Sequence, residues 1–262
     1  MSPWDTNRQL RRSLIKTPPL RLPGQSVDER ISILQDKFTD LLILPSCLVV
    51  LGILEWWHWW TAIPPSPWVF TIVALISIIY VWKKGAPLVA MVKNLRLGRD
   101  GERSVGQMLE PLREKGYRVF HDIPGDGFNI DHAIVGPAGV FTIETKARSK
   151  PERSCPKIVY DGNTVRIGNG LPFDEPLNQA RAQARWLANL LNDGRTATFT
   201  VRPVVVFPEW YVERIGRKSK DDVWVLNPKA LDKFLDHEPH ILSPSFVDSA
   251  VHALTRHCRQ NG

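Results

Sequence analysis

The chain has 262 residues, of which 43% are hydrophobic, and a formal net charge of +7. This apolar content is ordinary for one or two folded domains and argues against a disordered chain. The positive charge favours an anionic partner, either nucleic acid or phospholipid headgroups, and the scattered cysteines, with no C-x-x-C pair, argue against a zinc ribbon or redox pair.

The N-terminal part of the chain is predicted to be a leader followed by a membrane hairpin. Residues 1–25 are polar, basic and interrupted by prolines, which indicates a flexible leader. S-V-D-E at 26–29 is typical of a capped helix start. Two apolar segments follow at 41–60 and 65–82, and the second is uncharged and long enough to cross about 30 Å of hydrocarbon. The first is long enough only if the tryptophan cluster at 56–60 lies in the far interface, a depth that Trp favours.

The charges around these segments predict their orientation. Lys and Arg flank the pair on both sides, whereas the proline-rich connecting loop contains neither. This pattern predicts a two-pass hairpin in the inner (cytoplasmic) membrane, with both termini cytoplasmic. A buried helical hairpin in a soluble core is the alternative. Residues 83–98 are predicted to form a basic connector, whose charges could also engage anionic lipid.

Residues 99–258 are predicted to form an alternating α/β domain. The apolar periodicity and the glycine and proline breaks indicate its elements. They are a helix ending at Gly116, strands at 117–123, 130–135 and 139–146, a helix at 176–192, strands at 201–207 and 222–226, and short helices at 228–235 and 244–258. The expected fold class is α/β, with a sheet flanked by helices and preceded by a two-helix hairpin.

The segment N-I-D-H-A-I-V-G-P-A-G-V-F-T-I-E-T-K, residues 129–146, contains the residues that suggest chemistry. Gly-Pro-Ala-Gly at 136–139 is a turn signal between two apolar strands. Folding the strands about this turn places Asp131 opposite Glu144, and Lys146 lies on the same face. Directly opposed Cβ atoms are ~4.5–5.5 Å apart, so two carboxylates there repel each other unless a cation lies between them.

A divalent metal with hard oxygen ligands suits this position. We expect Mg²⁺ or Mn²⁺ to be held by Asp131, Glu144 and the backbone carbonyl of Thr145. Lys146 could then orient a water molecule and help it to ionise, which is the logic of metal-assisted phosphodiester hydrolysis.

An acidic residue, a β-hairpin and then E-x-K resembles the PD-(D/E)XK nuclease superfamily. The longer string I-D-H-A-I-V-G-P-A-G-V-F-T-I-E-T-K is similar to the NERD family, the nuclease-related domain. E-x-K alone matches many surface strands by chance, whereas the complete ordered string is specific. The resemblance covers residues 97–235 and extends towards 258, and it excludes the membrane hairpin. It implies a restriction-endonuclease-like mixed sheet and a metal-dependent nuclease, with DNA favoured over RNA.

The same resemblance implies further site residues. Glu102, in G-R-D-G-E, resembles the acidic residue of the family's first helix, and Gln179, in E-P-L-N-Q-A, resembles the helix start P-x-x-Q. Glu102 could instead be an ordinary acid in the first turn of a helix, and Gln179 with Gln183 could form the polar stripe of an amphipathic helix. His132 alternates onto the other strand face, where a core histidine is expected.

Basic residues after the hairpin are the predicted nucleic-acid contacts, since phosphate binding needs positive charge near the site. The alternative is a solvated charged loop. The candidates are Arg148, Lys150, Arg153, Lys157, Arg181 and Arg185. No helix-turn-helix, finger or RNA-binding signature accompanies them, so sequence-specific readout is not expected.

Two other functions stay open at this point. The chain could be a catalytically silent, membrane-anchored nucleic-acid-binding or scaffold module, or a structural protein whose basic face meets lipid. The intact D…E-x-K set favours the nuclease. The oligomeric state is left open.

Overall fold

A computed structural model describes residues 21–61, 67–149, 157–193, 198–215 and 223–261. Most of the predicted leader and the loop at 62–66 lie outside this range. Two long helices come first, α1 at Gln25–Trp60 and α2 at Pro67–Leu109. They pack antiparallel, with Trp56 Nε1 donating to Thr71 Oγ1 at 3.0 Å near the tip of the hairpin.

The contact between α1 and α2 follows a regular seam. Residues with reduced exposure recur every three or four positions on both helices, the spacing of a coiled-coil interface. On α1 they include Ile31, Leu34, Phe38, Leu41, Pro45, Leu48, Gly52 and Glu55, and on α2 they include Thr71, Ala74, Ser77, Val81, Gly85, Leu88, Val92 and Leu95. A Cβ at Gly85 would lie 2.9 Å from Phe38 Cε2, so the missing side chain lets the helices approach closely. Small seam residues of this kind are typical of helix pairs in membranes.

The outward faces of the hairpin are apolar and exposed. Each helix contains a stretch long and apolar enough to cross a membrane, and only 11% of that stretch is buried. A helix of a soluble core would bury most of such a stretch. The described residues therefore do not form a helical hairpin buried in a soluble core, which was the alternative prediction.

Helix α2 is unbroken from the second apolar segment into the α/β domain. The predicted connector at 83–98 is therefore part of a helix, and so is the predicted domain start at 99. Pro87 lies inside the helix, at a cost of about 3 kcal/mol in an isolated helix. The neighbouring Gly85 and Leu88 lie in the α1 seam, and such packing is a tertiary contact that local sequence signals do not contain.

The predicted capping of α1 was wrong in one respect. The residue before the helix is Gly24, in the left-handed conformation, and no side chain from the S-V-D-E segment caps the helix. The Ser26 backbone N–H instead donates to Asp122 Oδ2 at 2.9 Å. The cap therefore comes from the α/β domain, and a local motif could not reveal it.

In the described residues, the α/β domain contains two sheets and three further α-helices. Its strands are β1 Arg118–Pro124, β2 Asn129–Gly136, β3 Gly139–Thr145, β4 Lys157–Tyr160, β5 Val165–Ile167, β6 Val201–Val206, β7 Tyr211–Arg214 and β8 Trp224–Leu226, and its helices are α3 Glu175–Asn192, α4 Leu231–Asp236 and α5 Pro244–Asn261. The main sheet has the order β1-β2-β3-β6-β8, and a small sheet has the order β5-β4-β7. The strands β1, β2 and β3 pair antiparallel, whereas β6 pairs parallel with both β3 and β8.

Helices cover both faces of the main sheet. On one face, the end of α2 and α4 bury Val105, Leu109 and Leu231 against the strands. On the other face, α3 and α5 contribute Leu187 and Leu254. The fold is α/β, a mixed sheet flanked by helices and preceded by two long apolar helices, as predicted. The small sheet was not predicted.

Candidate functional site

The β2–β3 hairpin has the register that its sequence predicts. Gly136 pairs with Gly139, and the ladder continues to His132 opposite Ile143. Beyond that pair, the Asp131 carboxylate accepts a hydrogen bond from the Thr145 backbone N–H at 2.7 Å. Asp131 is therefore fixed at the open end of the hairpin, beside the E-x-K segment.

The E-x-K residues meet the start of helix α3. Lys146 Nζ lies 3.0 Å from Glu144 Oε1 and donates to Gln179 Oε1 at 2.8 Å. Glu144 is 3% exposed because β3 is the central strand of the main sheet. The structure thus brings together three residues that the sequence predicted from two separate motifs, E-x-K and P-x-x-Q.

Gln183 belongs to the same cluster and was not predicted as a site residue. It is 1% exposed, and its Nε2 donates to Glu144 Oε2 at 2.6 Å and to the Asn129 carbonyl at 3.3 Å. The stripe formed by Gln179 and Gln183 therefore faces the carboxylates rather than solvent. The available signal was their i, i+4 spacing, which puts both on one side of a helix.

Three carboxylates repel one another at this site. Burial, followed by Asp122 and Glu144, raises the pKa of Glu102 on α2 to about 7. Burial raises the pKa of Asp131 well above its ordinary value, and Glu144 and Glu102 raise it further. Burial also raises the pKa of Glu144, against the opposing effect of Lys146. The single ammonium group of Lys146 cannot balance the charge of three ionised carboxylates.

The donor set suits a hard divalent cation, which prefers carboxylate and carbonyl oxygens. Among the described residues, no three His, Cys, Asp or Glu side chains are close enough to hold a metal ion by themselves. The expected ligand set needs only two such side chains, Asp131 and Glu144, with the Thr145 carbonyl. The excess of carboxylates over cations is the feature of the site that favours metal binding.

This crowding predicts how stability depends on pH without metal. Since the pKa of Glu102 rises from 4.5 to about 7 on folding, the folded protein holds a proton that the unfolded chain has lost between these values. The free energy of unfolding should therefore fall as the pH rises from 4.5 to 7, by at most about 3 kcal/mol. Thermal unfolding followed by circular dichroism in EDTA would show this trend, and Glu102→Gln should weaken it. An unchanged trend in that variant would contradict the assignment to Glu102.

His132 and His121 form a buried pair next to the site. Their Nδ1 atoms are 2.9 Å apart, and burial lowers the pKa of both rings. His121 Nε2 lies 3.2 Å from Glu110 Oε1. The expectation of a core histidine at position 132 is thereby confirmed, because the ring is fully buried.

Four of the six predicted phosphate contacts lie within the described residues. Arg148 lies over the Phe173 ring at 4.9 Å, and Lys157 forms an ion pair with Glu213. Arg181 and Arg185 lie ~200° around α3 from Gln179 and Gln183, given 3.6 residues per turn. Lys150 and Arg153 lie outside the described residues. A role in nucleic-acid binding stays a prediction for all six.

Comparison with known proteins finds a similarity to part of the α/β domain. Residues 97–208 match the family model described as the nuclease-related domain, NERD. An uncharacterized protein of Bacillus anthracis is 41% identical over 54 residues, which cover 19% of this chain and 26% of that protein. A structure of SfsA from Pyrococcus furiosus in complex with Ca²⁺ is similar over 60% of this chain and 52% of that chain, with 18% identity and a TM-score of 0.22. Similarity at this score indicates neither fold nor function.

The chain thus spans about a quarter of the Bacillus protein and about half of SfsA. The family match, in contrast, includes Glu102, the β2–β3 hairpin, the start of α3 and strand β6. These are the elements that form the carboxylate cluster. Residues 97–208 of the chain are therefore similar to the nuclease-related domain, NERD, and this similarity covers less than half of the chain.

Proposed function

We propose that this chain is a membrane-anchored, metal-dependent endonuclease that hydrolyses phosphodiester bonds, preferring DNA to RNA. The observation that carries the proposal is the meeting of Asp131, Glu144 and Lys146 at the end of the β2–β3 hairpin. The nuclease-related domain supports a nucleic-acid substrate in general. The preference for DNA rests on the family resemblance.

Each residue of the cluster has a distinct part in this proposal. Asp131, Glu144 and the Thr145 carbonyl would hold Mg²⁺ or Mn²⁺. When bound, the cation would offset the carboxylate charge and polarise a phosphate oxygen. The Lys146 ammonium, whose side chain is 20% exposed, can reach a phosphate oxygen or orient the attacking water.

The two glutamines fix the charged groups in place. Gln179 accepts a hydrogen bond from Lys146, and Gln183 donates one to Glu144, so both charged side chains keep one orientation. Preorganised groups cost no reorganisation when charge develops on the substrate. Glu102, with a pKa of about 7, can hold or release a proton near neutral pH.

The proposed anchor is the α1–α2 hairpin. Large apolar side chains point outward over the whole apolar length of both helices, among them Ile43, Val50, Ile72 and Ile79, all about half exposed. So extensive an apolar surface is rare on a soluble monomer. The helices are antiparallel, so the start of α1 and the α/β domain lie at the same end, as a two-pass topology with both termini cytoplasmic requires.

The proposal is tested with the full chain in lipid nanodiscs, since residues 21–28 pack on the α/β domain. Supercoiled plasmid, linear duplex, single-stranded DNA and RNA are incubated with Mg²⁺, Mn²⁺ or EDTA. We expect nicking and linearisation of the plasmid with either metal, none with EDTA, and slower cleavage of RNA. Binding without cleavage in every condition would favour the silent binding module, and cleavage of RNA alone would contradict the preference for DNA.

A further inference from the structure

A short segment made of the residues that lead into α1 and the first turn of that helix packs against the α/β domain. We define this N-terminal strap as residues Arg21–Asp28. Its anchor is Asp122 on β1, which is 2% exposed and has a positive φ of 50°. In the β1–β2 register, His121 pairs with His132 and Ile123 with Ile130. This register puts Asp122 opposite Asp131, the candidate metal ligand.

The Asp122 carboxylate is surrounded by donors, most of them from the strap. Oδ1 accepts from Ser26 Oγ at 2.8 Å and from Asn129 Nδ2 at 2.8 Å. Oδ2 accepts from the Ser26 backbone N–H at 2.9 Å and lies 3.1 Å from Arg21 Nε. A buried carboxylate with this many partners fixes the groups around it, because losing any partner leaves charge uncompensated.

The strap contacts α2 on both sides of Glu102. A Cβ at Gly24 would lie 3.4 Å from Glu102 Oε2. One turn later, a Cβ at Gly106 would lie 2.7 Å from Pro23 Cγ. One turn earlier, Arg99 Nη1 is 3.0 Å from Asp28 Oδ1. The strap therefore restricts the conformations that the Glu102 side chain can adopt.

We propose that Asp122 is a positioning residue of the candidate active site, which holds the strap against α2 and so fixes Glu102 beside Asp131 and Glu144. This inference rests on the proposed nuclease function. Asp122 itself touches no reacting group, because its oxygens are occupied by Ser26, Asn129 and Arg21. A contribution to stability alone would not explain why a carboxylate is buried here, since proteins in which apolar residues replace buried ion pairs are often equally stable.

The test replaces Asp122 by Asn in the full chain in nanodiscs. The amide keeps the shape but turns an N–H towards Ser26 or Arg21, which releases the strap. We expect kcat for plasmid cleavage to fall by about 10-fold to 100-fold, as a misplacement of about 1 Å does, with KM changed by less than about twofold. Asp248→Asn, an exposed carboxylate on α5, is the matched control and should retain its kcat. An unchanged kcat in Asp122→Asn would overturn the proposal.

A disulfide between the strap and α2 would distinguish a loss of positioning from a loss of folding. A Cβ added at Gly106 would lie 3.1 Å from Pro23 Cβ, slightly less than the ~3.5–4.5 Å between the Cβ atoms of a disulfide. Pro23→Cys with Gly106→Cys, added to Asp122→Asn and oxidised, should restore most of kcat, and dithiothreitol should remove the gain. Failure of the formed crosslink to raise kcat would overturn the proposal. Melting temperatures of all variants would show whether the assay temperature leaves each one folded.

Hydrogen exchange supplies a readout that needs no activity. Asp122→Asn should accelerate amide exchange in residues 21–28 and also in residues 99–106 of α2, while the start of α5 at residues 244–250 stays unchanged. Wild-type protein that cuts nothing would contradict the proposed function, and the exchange data would still decide the positioning role. Unchanged exchange at 99–106 would overturn that role, whatever the activity.

Discussion

Replacing Glu144 by Gln is expected to lower the kcat of DNA cleavage by about 10³-fold. The substitution removes the negative charge that would face a cation but keeps an oxygen that can accept from Gln183. Losing several kcal/mol of transition-state stabilisation corresponds to this factor. Single-turnover cleavage of supercoiled plasmid in Mg²⁺ measures it, and the melting temperature shows that the variant folds.

The chain offers a close control for this experiment. Glu175 lies 3.9 Å from the same Lys146 ammonium, but its side chain is 73% exposed. Glu175→Gln should change kcat by less than about threefold, since exposed ion pairs contribute little. Lys146→Ala should lose activity to an extent similar to Glu144→Gln. Equal cleavage by wild type and by both site variants would indicate a contaminating nuclease or a site elsewhere.

Replacing Leu44 and Ile76 together by Lys is expected to abolish membrane insertion of the hairpin. Both side chains point outward, with 67% and 62% exposure, so the α1–α2 seam keeps its packing. Each lysine near the centre of a span costs about 2.5–3.5 kcal/mol. Extraction of cell membranes with alkaline carbonate, followed by immunoblotting, measures the membrane fraction.

The control for the membrane experiment is Gln107→Lys, an exposed position of α2 within the nuclease-related domain. This variant should stay in the membrane fraction with the wild type. Release of wild-type protein by carbonate would show that the apolar hairpin is covered by something other than lipid, such as a second copy of the chain.

Much of the site could be predicted because the register of the β2–β3 hairpin depends on local sequence signals. The turn at 136–139 and the strict alternation of a strand are enough to put Asp131 beside the E-x-K segment. Gln183 could not be assigned with the same evidence, because a polar i, i+4 stripe normally faces solvent. Only the packing of α3 against β3 decides which side of the helix meets Glu144.

The small sheet shows where prediction from local sequence fails. Strands β5 and β7 have three and four residues, and β4 pairs in parallel with β7, which lies far along the chain. Such short strands acquire their structure from pairing rather than from propensity. The strap was missed for a similar reason, since the partner of Ser26 is Asp122, 96 positions away in sequence.

The unbroken helix α2 has a consequence for where the proposed nuclease can act. From Lys84, at the end of the second apolar segment, to Glu102 the helix rises ~27 Å without a break. If the hairpin is anchored in a bilayer, the helix would therefore hold the domain close to the membrane, whereas a flexible tether would let it move farther into the cell. Its reach would be a thin layer along the membrane surface. Nucleic acid entering or lying within that layer would meet the site at high effective concentration, and nucleic acid deeper in the cell would stay beyond it.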